Sequence, residues 1–263
     1  MKRTPLFKQH QQLGGKLVDF AGWEMPIQYG GVIEEYQAVR TAAGLFDVSH
    51  MGRVTAEGRE AEAFLQRVTT NNVAKLAVGD AQYSMVCNPA GGIKDDIFIY
   101  RLGPTRFLVC VNASNRDKIV SWLFQKAPQG DIRLSDESDE LAQIALQGPQ
   151  SHDILRAVCP AAAETLKPRQ CMEADVLGAH GVVSRTGYTG EVGYELYVPS
   201  HKAVAVWESL MKAGGTAGIK ACGLGSRDLL RLEVGYLLYG NDMDEQTTPL
   251  EAGAAFAVDF TKG

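Results

Sequence analysis

The stretch Gly91-Gly92-Ile93-Lys94-Asp95-Asp96-Ile97-Phe98-Ile99-Tyr100 constrains this chain more than any other. Two glycines close a turn after Asn88-Pro89, and Ile97 and Ile99 then alternate with Phe98 and Tyr100 as residues of a strand do. Successive strand side chains point to opposite faces, so Asp96, Phe98 and Tyr100 share one face and Ile97 and Ile99 the other. The aliphatic face suits a core. The other face sets a carboxylate in line with two rings, which suits a flat, polar, nitrogen-rich ligand. The same residues also fit two solvated acids, Asp95 and Asp96, at the end of a turn whose rings cap a sheet.

Around this turn the pattern is of strands and helices in alternation. Ala61, Phe64, Leu65 and Val68 lie at helical spacing. Tyr83 to Cys87, Asp96 to Leu102 and Phe107 to Val111 read as three antiparallel strands. Asn112-Ala113-Ser114-Asn115 offers capping side chains to a helix carrying Ile119, Trp122 and Leu123. The acidic run Ser135 to Glu140 reads as a solvated connector and a domain crossing. Beyond it come a buried strand, Leu141 to Leu146, and a helix from Gly148-Pro149 through Leu155. A hairpin of Val182 to Arg185 with Tyr194 to Val198 follows, and then a helix with Ala203, Val206, Trp207, Leu210 and Met211 on one side. Hairpin then helix occurs twice, which hints at a duplicated α+β architecture. Ser226 is the natural N-cap of a last helix, Leu229 to Val234.

Composition narrows the function classes. A 45% hydrophobic and 22% charged chain of 263 residues is that of a soluble globular protein. A net charge of -5 without a Lys/Arg run argues against a dedicated nucleic-acid binder. No apolar run is long enough to span a bilayer, and the absence of a signal peptide implies a cytoplasmic chain or an already processed one. Five cysteines without a Cys-x-x-Cys pair, and five scattered histidines, indicate neither a disulfide framework nor a metal site. Gly187-x-x-Gly190-x-x-Gly193 sits in a hairpin rather than at a strand-to-helix turn, so it is not a dinucleotide fingerprint.

What remains is a set of polar and aromatic residues in glycine-rich places: Tyr83, Asp96, Tyr100, Asn112, Tyr188, Glu195, Arg227 and Tyr236. Glu195 lies mid-strand, where a carboxylate must be paired or solvated. It suits two parallel N–H donors of a pterin-like ring, and equally an ion pair with Arg227 or Arg185. Arg227 near a helix N-terminus is misplaced for the macrodipole. It either grips an anion or carbonyl oxygen or bridges to an acid.

Five separated motifs carry a resemblance. They are Val18-Asp19-Phe20-Ala21-Gly22-Trp23-Glu24-Met25-Pro26, Phe46-Asp47-Val48-Ser49-His50-Met51-Gly52, Gly91-Gly92-Ile93-x-Asp95-Asp96, Ser184-Arg185-Thr186-Gly187-Tyr188-Thr189-Gly190-Glu191, and Gly223-Leu224-Gly225-x-Arg227-Asp228 with Leu237-Leu238-Tyr239-Gly240-x-Asp242-Met243. From Thr4 onward the chain closely resembles the aminomethyltransferase (T-protein) family of the glycine cleavage system. The resemblance implies an α+β, folate-binding aminomethyltransferase fold of duplicated, ferredoxin-like units of antiparallel sheet plus helix, and a C-terminal β-barrel domain absent from these residues. It divides the chain into a discontinuous first domain, 1–52 with 140–263, and an inserted α+β domain, 53–139. It implies transfer of the methylene of an aminomethyl group from the lipoyl arm of H-protein to tetrahydrofolate, a co-substrate, with release of ammonia and 5,10-methylenetetrahydrofolate in glycine catabolism.

By the same carry-over Asp96 is the catalytic aspartate. Tyr83, Phe98, Tyr100, Tyr188, Glu195, Arg227 and Tyr236 line the folate site, with Met51 and Asn112 beside them. Two other functions share the fold: a folate-dependent demethylase or sarcosine-oxidase-like folate module, and a non-catalytic folate-binding regulator. The last group carries a cysteine where this chain has Gly187, which discriminates against it.

Overall fold

The computed structural model describes residues 1–262. The chain begins with α1 (Phe7–Gln12), the hairpin β1 (Lys16–Phe20) and β2 (Trp23–Gln28), α2 (Val32–Thr41) and β3 (Gly44–Asp47). It continues through β4 (Gly52–Glu57), α3 (Ala61–Val68), β5 (Ala81–Cys87), β6 (Ile93–Gly103), β7 (Arg106–Val111), α4 (Arg116–Lys126) and β8 (Arg133–Asp136). Then come β9 (Leu141–Gln147), α5 (Ser151–Val158), α6 (Pro160–Thr165), β10 (Cys171–Val176), β11 (Ala179–Ser184) and β12 (Gly193–Pro199). The last regular elements are α7 (Ala203–Ala213), β13 (Lys220–Ala221) and α8 (Leu224–Glu233).

Two units emerge, one of Met1–His50 with Asp139–Tyr236, the other of Met51–Ser138 with the segment from Leu237 onward. In the first, six strands run in the order β10-β11-β12-β9-β3-β13, antiparallel except for the β13–β3 pair. Alternation sorts their faces: Leu146, Ile144, Tyr194 and Leu196 point into a core with Leu155 of α5, Ala162 of α6 and Trp207 and Leu210 of α7. Each such buried aliphatic side chain contributes roughly 1.5–3 kcal/mol relative to exposure. Gln143, Glu195 and Tyr197 therefore lie on the face turned away from these helices.

In the second unit all five strands are antiparallel, in the order β5-β6-β7-β4-β8. Ile97 and Ile99 of β6 pack with Val109 of β7, Val54 of β4, Phe64 and Leu65 of α3, and Ile119 and Leu123 of α4. Both units are thus a sheet covered by helices, the α+β class expected.

Several local expectations change. The segment from Leu237 belongs with the second unit, not with the first domain as expected. Met243 and Ala254 bury against Met85 and Ile93, and the Ile93 amide donates to the carbonyls of Asp244 and Thr247 at 3.1 and 3.0 Å. At its end the Lys262 ammonium donates to the carbonyls of Gln66 (2.5 Å), Thr69 and Asn71 (3.0 Å), closing the end of α3. The acidic run is not a plain connector: part of it is β8, an edge strand on β4, and Ser138 is buried with its hydroxyl oxygen accepting from the Arg53 amide at 2.8 Å. Residue Gly223, not Ser226, is the N-cap of α8. Glu35 of α2 takes the capping role, accepting from the Gly223 amide at 2.8 Å and the Ser226 hydroxyl at 3.2 Å. Strand β10 was not expected at all.

Candidate active site

Strand β6 delivers two adjacent carboxylates to opposite faces of its sheet. Asp95 follows the core-facing alternation of Ile97 and Ile99 and is fully buried, whereas Asp96 is half-buried on the other face with Phe98. Asn112, the residue after β7, meets both. Its backbone N–H donates to Asp95 Oδ2 at 3.0 Å, and its Nδ2 lies 2.9 Å from Asp95 Oδ1 and 2.7 Å from Asp96 Oδ1. Asn115 Nδ2 donates to Asp95 Oδ1 at 2.7 Å. The side chains expected to cap α4 therefore hold carboxylates instead, and α4 has no side-chain cap. From β5, the Tyr83 phenol donates to Asp96 Oδ2 at 3.1 Å.

Burial disfavours charge on both acids and pushes their proton affinities up. Asp95 is raised further by the neighbouring Asp96 charge, with Asn115 and Asn112 pulling it back. For Asp96 the hydrogen bonds of Tyr83 and Asn112 oppose burial. The result is a carboxyl group poised nearer neutrality than an ordinary aspartate, fit to exchange protons with a nitrogen base.

Rings extend from this carboxylate. Phe98 lies 5.4 Å from the buried Tyr100 and 6.3 Å from Tyr83, and Tyr83 stacks at 5.7 Å and 25° on Phe256 of the closing segment. Sequence reasoning missed Phe256, which no periodicity marks, and Asp95. For Asp95 the signal existed: it stands two residues before Ile97 and four before Ile99 on one strand. Met51 meets Arg53, whose Nη1 donates to the Met51 carbonyl at 2.5 Å, and among the described residues no contact ties it to Asp96. Of the turn glycines, Gly92 has a packing reason, since a Cβ there would lie 1.8 Å from the Glu245 carbonyl oxygen, while Gly91 holds a positive φ of 90°.

In the other unit two further groups form. On β12 the buried Glu195 accepts from Gln143 Nε2 at 2.9 Å and from the Thr186 hydroxyl at 2.6 Å. Gln143 Nε2 also lies 3.1 Å from the Tyr197 hydroxyl. These are neutral donors, so the expected alternative of an ion pair with Arg227 or Arg185 is not what satisfies this carboxylate. Arg185 instead donates to the Leu166 carbonyl at 3.1 Å. Each Glu195 oxygen retains a lone pair for another donor. Tyr188 and Tyr236 stack at 5.8 Å and 24°, and the Arg227 guanidinium covers the Tyr188 ring at 4.7 Å.

The chain matches the family described as GCVT N-terminal domain over residues 6–262. It is 50% identical over 262 residues to an aminomethyltransferase of Halothermothrix orenii, which takes in 100% of this chain and 73% of that protein. To an aminomethyltransferase of Bacillus subtilis it is 47% identical over 263 residues, 100% of this chain and 72% of that one. Among solved structures, the glycine cleavage system aminomethyltransferase T from Bartonella henselae aligns at a TM-score of 0.91 and 35% identity, over 99% of this chain and 70% of that chain. A chain of the heterotetrameric sarcosine oxidase from a Corynebacterium species aligns at a TM-score of 0.58 and 16% identity, over 82% of this chain and 96% of that one, a likeness of fold alone. Matched along its length by these aminomethyltransferases, the chain belongs to the GCVT family.

Proposed function

We propose that this chain transfers the methylene of an aminomethyl group, carried on the lipoyl arm of H-protein, to tetrahydrofolate. The observation that supports this most is the Asp96 carboxylate, raised in proton affinity by burial and held at both oxygens by Tyr83 and Asn112. Tetrahydrofolate supplies the two nucleophilic nitrogens, which lose two hydrogens while ammonia and the freed lipoyl thiol each gain one. Asp96 is suited to accept a proton released by an attacking nitrogen and to offset positive charge at the transferred carbon. The phenol and amide fix its direction, while Phe98 offers flat apolar surface beside it, backed by the buried Tyr100.

The residues fit such a co-substrate chemically. Glu195 is a carboxylate with lone pairs to spare, matched to adjacent N–H donors of a pterin ring, and Arg227 with Tyr188 and Tyr236 offers charge and stacking surface. We assign the pterin to Glu195 on this chemistry.

Calorimetric titration with tetrahydrofolate, coupled to an H-protein transfer assay, tests the reading. Asp96→Asn is expected to keep folate binding and to lose about 10²–10⁴-fold in transfer rate. Glu195→Gln is expected to weaken folate binding at least about tenfold. A parent chain that does not bind tetrahydrofolate overturns the proposal, and a Glu195→Gln chain that binds like the parent overturns the pterin assignment.

A further inference from the structure

Asp95 has no task in the chemistry just described, yet it is fully buried and receives three hydrogen bonds. An aliphatic side chain there would continue the stripe of Ile97 and Ile99 into the core with no loss of hydration. The carboxylate does what an aliphatic group cannot, because it holds Asn112 at two points, its backbone N–H at 3.0 Å and its side-chain amide at 2.9 Å. That amide is the same group that donates to Asp96 Oδ1 at 2.7 Å. Asn115, which donates to Asp95 at 2.7 Å, anchors the arrangement from the start of α4.

We propose that Asp95 is a positioning residue, which fixes Asn112 and through it the direction of the Asp96 carboxylate. It touches no reacting atom. This inference rests on the assignment of Asp96 to the transfer chemistry. Two consequences follow from the geometry. Without Asp95 the Asn112 amide loses the acceptor that orients it, and the Asp96 oxygen it held swings away from the productive direction. Because the Asn112 hydrogen bond favours the ionised acid, loosening it also raises the proton affinity of Asp96.

The test is the H-protein-coupled transfer of the parent, Asp95→Asn, Asn115→Leu and Asp96→Asn, with kcat and the tetrahydrofolate KM measured across pH. Asp95→Asn is expected to lose about tenfold to a hundredfold in kcat with KM within about twofold of the parent, and to carry the acid limb of kcat to higher pH. A loss of folded protein moves no such limb. Tyr83, which donates to Asp96, and Lys94, which precedes Asp95 on the strand, are the same in both proteins. Asn115→Leu, which removes a donor to Asp95 and none to Asp96, is expected to lower kcat several-fold, and it decides the matter if Asp95→Asn does not fold. Parental kcat and an unmoved limb in Asp95→Asn, or parental kcat in Asn115→Leu, overturn the proposal while leaving an inactive Asp96→Asn to uphold the role of Asp96. A fully active Asp96→Asn overturns both.

Discussion

The phenol of Tyr83 donates to Asp96 Oδ2 across 3.1 Å, from the strand paired with that of Asp96. The register sets Tyr83 opposite Phe98 and Met85 opposite Asp96, so the contact is a diagonal one on a single face of the sheet. Tyr83→Phe preserves the stacking ring and removes this bond. A hydrogen bond to a charged group contributes roughly 1.5–3 kcal/mol, so kcat is expected to fall about tenfold or more. Because the bond favours the ionised acid, its loss raises the proton affinity of Asp96 and moves the acid limb of the rate profile to higher pH. A pH–rate profile that keeps its limb would show that the phenol has no hold on that ionisation.

Acid stability is set elsewhere, at Asp47. Burial works against its charge, but His10 at 2.8 Å, the Ser49 amide at 2.9 Å and the Thr4 hydroxyl at 2.6 Å outweigh burial and hold the carboxyl at about 2 against an ordinary 3.8. A lowered folded-state value means stability that is present above pH 3.8 and lost as pH falls towards 2. Thr4→Ala removes one donor and is expected to shift the acid unfolding midpoint upward, with about 1 kcal/mol lost at neutral pH. Circular dichroism against pH reads both effects.

Arg40 of α2 ties together the two backbone segments that carry Tyr188 and Tyr236. Its Nη1 donates to the Thr189 carbonyl at 2.6 Å and to Glu191 at 3.1 Å, while Nε and Nη2 reach Glu233 at 2.9 and 2.5 Å. The fork has no equivalent in an ammonium group. Arg40→Lys is expected to weaken tetrahydrofolate binding about three- to tenfold, and Arg40→Ala more, with kcat at saturation changing little. Calorimetry with saturation kinetics on the two variants separates these effects.

Gly92→Ala tests the close approach at the β5–β6 turn. The added Cβ meets the Glu245 carbonyl oxygen at 1.8 Å and Asn88 Nδ2 at 2.8 Å, so the segment around residues 244–248 must give way. Loss of about 1–3 kcal/mol in thermal unfolding is expected, together with faster hydrogen exchange at the Ile93 amide, whose acceptors are the Asp244 and Thr247 carbonyls. An unchanged exchange rate at Ile93 would mean that the segment tolerates the methyl group.

Much of β6 was legible because alternation is a physical rule: Ile97 and Ile99 go inward, so Asp96 and Phe98 do not. The same rule placed Asp95 inward, but a charged side chain reads as surface until its donors are seen, and Asn112 and Asn115 come from a connection that lies far along the chain and looks like a cap. Strand β10 escaped because Met172, Glu173 and Asp175 interrupt any apolar run in a strand that lies at the sheet edge. The placement of the last segment rests on backbone bonds such as Ile93 to Asp244, which any sequence can make. Glu195 was recognised as a costly mid-strand acid. Its neutral partners Gln143 and Thr186 could not be chosen over an arginine by spacing alone.

The unit that carries Asp96 is assembled from two pieces of chain, Met51–Ser138 and the segment from Leu237, with about a hundred residues between them. At synthesis rates of roughly 5–20 residues per second, the sheet bearing the carboxylate pair leaves the ribosome about 5–20 seconds before the strip that covers Met85 and Ile93. For that interval the nascent sheet exposes Met85 and Ile93, and the ring of Tyr83 has no Phe256 against it. Within these residues, the order in which the chain is born thus completes this unit after the other, and its sheet is open to chaperones while it waits.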